Sequence, residues 1–132
     1  MAKYPHMLSE DVAIWERFLE KYGSLYSSFV YDVHVGEGLR DLEGVTDEVK
    51  YASMELLLKR IDVVGKLGAE THIIEVKPDA GMSAVGQVLC YEVLYRRDFK
   101  IVGPIRNIIV TDRLWPDHEY LFKVFDILYH VV

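Results

Sequence analysis

Hydrophobic positions recur along the chain with two periods, and the alternation between them outlines the elements. Val12, Trp15, Leu19 and Tyr22 fall at helical spacing, which predicts a helix over 9–22. Ser9 stands where an N-cap belongs, Glu10 and Asp11 suit the positive end of the helix dipole, and Gly23 fits a C-cap. From Leu25 to Val35 aromatic and β-branched residues dominate. Phe29, Tyr31, Val33 and Val35 alternate with Val30, Asp32 and His34, the period of a strand. Gly36, Gly38 and Gly44 mark a loop. Thr46 as a cap, followed by Val49, Met54, Leu57 and Leu58, predicts a second helix over 46–59.

Beyond it, Arg60–Val64 reads as a short strand, Gly65 and Gly68 bracket a hairpin turn, and Thr71–Lys77 is the partner strand, stopped by Pro78. Met82–Arg97 carries a long helix with Gly86 as its weak point. Ile105–Thr111 is a buried strand, Pro116 opens a short helix over 117–124, and Phe125–Val132 closes as a strand. This order predicts one α/β layered domain spanning 1–132, with a mixed central sheet flanked by helices.

The chain has 132 residues, of which 51% are hydrophobic and 27% charged, values of a globular domain. Its apolar runs are too short or too interrupted for a membrane span, and MAKYPHMLSEDV lacks the apolar stretch of a secretion signal. The single cysteine, Cys90, excludes an internal disulfide and a four-cysteine zinc site. It sits in an apolar helix, where a buried, inert thiol and a cytoplasmic setting are expected. Net charge is −6, but unevenly spread: residues 1–58 carry −6, residues 59–113 carry +2 and residues 114–132 carry −2. Only the middle of the chain could face a polyanion without strong repulsion.

That middle also holds the chemistry. Asp62 lies in the first arm of the hairpin, and Glu75 and Lys77 lie in the second. Strand side chains alternate, so Glu75 and Lys77 share a face from which Val76 is turned away, and the hairpin can set Asp62 beside Glu75. Two carboxylates and an ammonium would then converge. Such oxygen ligands suit Mg²⁺ or Mn²⁺, with the backbone carbonyl of Val76 as a further donor. A divalent ion and a neighbouring lysine are what phosphodiester hydrolysis needs. Taken singly, each signal has a bland alternative: Asp62 in an ion pair with Arg60 or Lys77, and the Glu-Val-Lys triplet as solvated surface.

In its Asp62, its Glu75-Val76-Lys77 and the hairpin–helix–strand order around them, the chain resembles the PD-(D/E)xK nuclease superfamily. Gln87-Val88-Leu89-Cys90-Tyr91 resembles the QxxxY motif of the RecB-like branch. The resemblance covers roughly residues 9–112. It implies a restriction-endonuclease-like fold, DNA as substrate, Mg²⁺ or Mn²⁺ held by Asp62 and Glu75, and Lys77 positioning the attacking water. It also implies that Gln87 and Tyr91, on one helix face with Ala84, Val88 and Tyr95, support the site or touch DNA. The family's extra carboxylate on the first helix is best matched by Glu16, which borders the apolar stripe, with Glu10, Asp11 and Glu20 as alternatives. A nuclease fold that has lost catalysis and binds DNA or a partner protein is the competing reading.

Other features carry less. His6, His34, His72, His118 and His130 share no metal-ligand spacing, and Gly65-Lys66-Leu67-Gly68 lacks the P-loop pattern. Arg96, Arg97 and Lys100 fit either a helix C-terminus or a phosphate contact. Val85, Leu89 and Val93 form an apolar back face on the 82–97 helix. Either the C-terminal helix or a second copy, in a homodimer, would cover it.

Overall fold

The computed structural model describes residues 3–4, 6–36, 47 and 59–132. The elements are α1 (Ser9–Tyr22), a short 3₁₀ turn, β1 (Ser28–Val35), β2 (Lys59–Leu67), β3 (Glu70–Val76), α2 (Met82–Asp98), β4 (Ile105–Thr111), α3 (Pro116–Val124) and β5 (Leu128–Val131). The helix expected over 46–59 lies, apart from Asp47 and Lys59, outside the described residues, and Lys59 opens β2 instead.

The five strands form one sheet in the order β1-β2-β3-β4-β5. β1, β2 and β3 are antiparallel neighbours, whereas β3, β4 and β5 run parallel. The hairpin turns through Gly68, whose φ of 60° is the left-handed conformation that a two-residue loop places at its first position. Gly65 is not part of the turn. It lies within β2, where a Cβ would stand 2.9 Å from the ring of Tyr26.

Helices cover both faces of the sheet. On one, Ile14, Trp15 and Phe18 of α1 pack against Val63, Ile74, Val76, Ile108 and Val110. On the other, Tyr91 and Tyr95 of α2 meet Val35, Ile61, Val64 and Ile73, while Ala84, Val85 and Val88 meet Ile109, Phe122 and Ile127. The central strands β3 and β4 are therefore buried nearly end to end rather than at alternate positions.

The structure corrects several expectations. The N-cap of α1 is Leu8, whose N–H donates to the Asp11 carboxylate at 3.3 Å, and the helix passes into the 3₁₀ turn at Gly23 instead of stopping. Its buried stripe runs through 14, 15 and 18, not 12, 15, 19 and 22. Cys90 is exposed, because it points away from the faces that meet the sheet and α3. The back face of α2 is covered in place by α3, with Val85 buried and Leu89 packed beside it, while Val93 stays 66% exposed. Arg96 donates to the carbonyls of Ile101 and Gly103, closing the C-terminal end of α2.

The β1 alternation also breaks. Phe29 and Tyr31 pack on the α1 side, but Val33 and Val35 pack on the α2 side. The change falls at Asp32, which holds a left-handed φ of 54°. On the facing strand the same change occurs between Val63 and Ile61, so Asp32 and Asp62 are the pair left between the two halves of the ladder. A kink shared by two strands exchanges the faces of both. No described helix is long and apolar enough to cross a membrane.

Candidate active site

The β2–β3 ladder ends at Val63 and Ile74, one pair before Asp62 and Glu75. At that point the Asp62 side chain replaces a strand partner, its carboxylate accepting the Val76 N–H at 2.9 Å. Glu75 follows Ile73 on the α2 face and is only 5% exposed. Burial, then the hydrogen bond to and the charge of Asp62, push the Glu75 carboxyl well above the usual carboxylate range, with Lys77 opposing. Lys77 continues the parallel pairing beyond β3 through its N–H to Val110 O at 3.0 Å, and its ammonium donates to Ser83 Oγ at 2.8 Å.

Asp62, Glu75, Val76 and Lys77 line an open cleft of about 300 Å³ together with Gln87 and Tyr91 of α2. Tyr91 is pushed up to about 12 by burial and by the charges of Glu75 and Asp62, with a hydrogen-bond contact from Gln87 opposing. Oε1 of Gln87 is buried with no hydrogen-bond partner among the described residues. The six sequence-predicted residues at and behind the hairpin are thus brought together.

Glu16 is not among them. It is exposed and lies with Lys3, Tyr4 and Glu20 on a different part of the surface. From the first helix it is Glu10 and Asp11, two of the alternatives, that line the cleft. Partial burial, and the charge of Asp62 after it, raise the Asp11 carboxyl pKa against the Leu8 N–H. The signal for Asp11 was in the sequence: 11, 14, 15 and 18 share a helix face, so Asp11 extends the buried stripe toward the N-terminus. Glu16 borders only a stripe centred on 12 and 19.

Arg60 lines the cleft as well. Its guanidinium lies 3.5 Å from Asp32, whose carboxylate also meets His6 at 3.0 Å and His34 at 3.4 Å. Sequence reasoning gave Arg60 no role in the site.

The donor set fits a hard divalent cation. Two adjoining carboxyl groups, a backbone carbonyl and an amide oxygen are all oxygen ligands. Among the described residues no three His, Cys, Asp or Glu side chains converge tightly enough to hold a metal by themselves. Mg²⁺ characteristically takes one or two carboxylates and keeps several waters.

The layered architecture, with a mixed sheet whose antiparallel hairpin leads through a helix to a parallel strand, is restriction-endonuclease-like. Among solved structures, the chain is similar to that of the EndoMS–dsDNA2 complex, at 14% identity and a TM-score of 0.55, over 100% of this chain and 48% of that one. It is also similar to AF1548, a protein of unknown function, at 16% identity and a TM-score of 0.51, over 88% of this chain and 53% of that one. The chain thus spans about half the length of each, and the likeness is one of fold. No family model and no curated protein sequence matches.

Proposed function

We propose that the chain is a Mg²⁺- or Mn²⁺-dependent DNA nuclease of the PD-(D/E)xK superfamily, in its RecB-like branch. The observation that carries this is the buried Glu75 carboxyl held against Asp62 in a cleft that also receives Lys77, Gln87 and Tyr91. A fold maintained for stability alone has no use for two facing acids in an open cleft. The resemblance of fold to a protein captured in a complex with dsDNA supports DNA as the partner.

Asp62, Glu75 and the Val76 carbonyl would hold the ion, with Asp11 at the cleft wall. When bound, the ion supplies positive charge against the attacked phosphate. Lys77 orients the water that attacks phosphorus and offsets the charge that develops there. Its contact with Ser83 keeps the ammonium at the N-terminal turn of α2, on the side from which Gln87 and Tyr91 face the carboxylates. Gln87 lines the cleft, and Tyr91 stays protonated at neutral pH, a donor to substrate or water. Arg60 adds a second cation for the phosphate backbone.

The deciding experiment is incubation with linear, circular, single-stranded and branched DNA, with and without Mn²⁺, for wild type and Lys77→Met. Metal-dependent cleavage that disappears in the variant is expected, and equal activity in both rejects the reading. The acidic first half of the chain favours one competing reading, a nuclease fold that binds without cutting. Calorimetric titration separates the two, since a non-cutting module shows no Mn²⁺ binding at millimolar metal even with DNA present. A homodimer through α2 would rest on Val93, and a monomer in sedimentation at tens of micromolar removes it.

A further inference from the structure

The loops that follow β3 and β4 leave the sheet at the same edge and are stitched together. Asp79 N–H donates to Asp112 Oδ1 at 2.9 Å, and Ala80 N–H donates to Thr111 Oγ1 at 3.0 Å. That buried hydroxyl donates in turn to the Arg113 carbonyl at 3.2 Å. Asp79 holds a left-handed φ of 46°, an uncommon conformation outside glycine. Its carboxylate accepts the indole N–H of Trp115 at 2.7 Å. Trp115 is thereby fixed along one edge, yet it is 51% exposed. The Arg113 guanidinium lies over its ring, 5.9 Å from the centroid. A residue type normally well buried is instead immobilised in solvent, anchored two residues beyond Lys77.

We propose that Trp115, with Arg113, is a stacking platform for an unpaired base of a DNA strand whose backbone enters the cleft at Lys77. The proposal rests on the nuclease reading and narrows its substrate to DNA with a single-stranded segment. A chain of net charge −6 has little long-range attraction for a polyanion, so its affinity needs a source that does not depend on charge. Base–aromatic stacking is one, and a ring already fixed by its N–H loses little freedom when a base settles on it. Bases inside a duplex hide their faces from such a ring, whereas unpaired bases offer them. Arg113 supplies a cation beside the platform.

The chain contains its own reporter. It has two tryptophans, and Trp15 is 0% exposed, enclosed by Phe18, Phe29 and Tyr31. Quenching of intrinsic fluorescence by oligothymidylate therefore reads Trp115. The titration uses the full chain in EDTA, with anisotropy of a labelled oligonucleotide as an independent measure of affinity. Wild type is expected to be quenched by the oligonucleotide and not by blunt duplex. Trp115→Ala is expected to weaken binding by about 5- to 100-fold, while Trp115→Phe retains most of the affinity and loses the signal. Absence of quenching, equal quenching by blunt duplex, unchanged affinity in Trp115→Ala, or equal weakness in the Phe and Ala variants overturns the platform. If the platform fails while Mn²⁺-dependent cleavage persists, the nuclease reading stands. Quenching in a chain that never cleaves DNA removes the nuclease reading and leaves the platform.

Discussion

The two ends of the β2–β3 hairpin both bury polar side chains, and they do so in opposite ways. At the turn end, His72 is only 4% exposed, and both ring nitrogens are used: Nδ1 with the Tyr26 hydroxyl at 2.7 Å and Nε2 with Glu70 at 3.0 Å. Glu70 also meets Arg106 at 3.6 Å, and Lys66 donates to Thr71 at 2.6 Å. At the open end, Glu75 is just as buried, but its neighbour is another acid. One end has complementary partners for its polar groups, while the other sets two acids side by side, one of them kept uncharged by burial and by its neighbour. Buried polar groups with complementary partners hold a fold together, whereas groups without them are kept for binding or chemistry.

The largest effect that would sharpen this contrast is on cleavage. Lys77→Met and Asp62→Asn are each expected to lower metal-dependent cleavage at least about 100-fold, with thermal unfolding midpoints within a few degrees of wild type. His72→Ala should do the reverse. It leaves the Tyr26 hydroxyl without its buried partner and opens a cavity, so urea unfolding should show a loss of about 2–4 kcal/mol. The fraction that remains folded should cleave normally. A loss of specific activity in that variant would break the contrast.

Glu75→Gln tests the open end from the stability side. The amide still donates a hydrogen bond to Asp62 without a carboxyl that burial and Asp62 both oppose in its charged form. In EDTA at neutral pH the variant should be more stable than wild type by about 1–2 kcal/mol while losing cleavage. A destabilised variant would mean that the pair is structural.

The smallest effect concerns His130, which packs at 4.5 Å from the Tyr22 ring and 5.3 Å from Phe18. Burial lowers its pKa, so the folded state binds the proton less well than the unfolded chain does. Stability contributed by neutral His130 is therefore present above the unfolded value near 6.5 and lost as pH falls from there through the lower folded value. The ring is partly solvated, so the loss should stay below about 1 kcal/mol. His130→Phe should flatten the stability profile between pH 7 and 5, and an unchanged slope would reject this origin.

Much of the molecule could be read from its residues where one pattern had one solution. The bounds of α1 and β4 follow from periodicity and turn signals, and the Asp62–Glu75 encounter follows from hairpin geometry. The failures have physical causes. A helix stripe placed one position off makes Glu16 a neighbour of the core and leaves Asp11 only as an alternative to it. Gly65 looked like turn punctuation because no local pattern reveals that the Tyr26 ring needs its empty side. Strict alternation along β1 failed at Asp32, since a left-handed residue inside a strand is decided by the strand beside it.

The kink shared by Asp32 and Asp62 ties an edge strand without a catalytic role to the aim of a carboxylate about thirty residues away in sequence. Deleting or inserting one residue in β1 before Asp32 would slide the left-handed position out of line with its opposite number. The hairpin would then have to keep its core contacts or its acidic pair, but not both. Sequence drift along this margin is therefore restrained by a site it never touches, and tolerance to indels should fall sharply at that row.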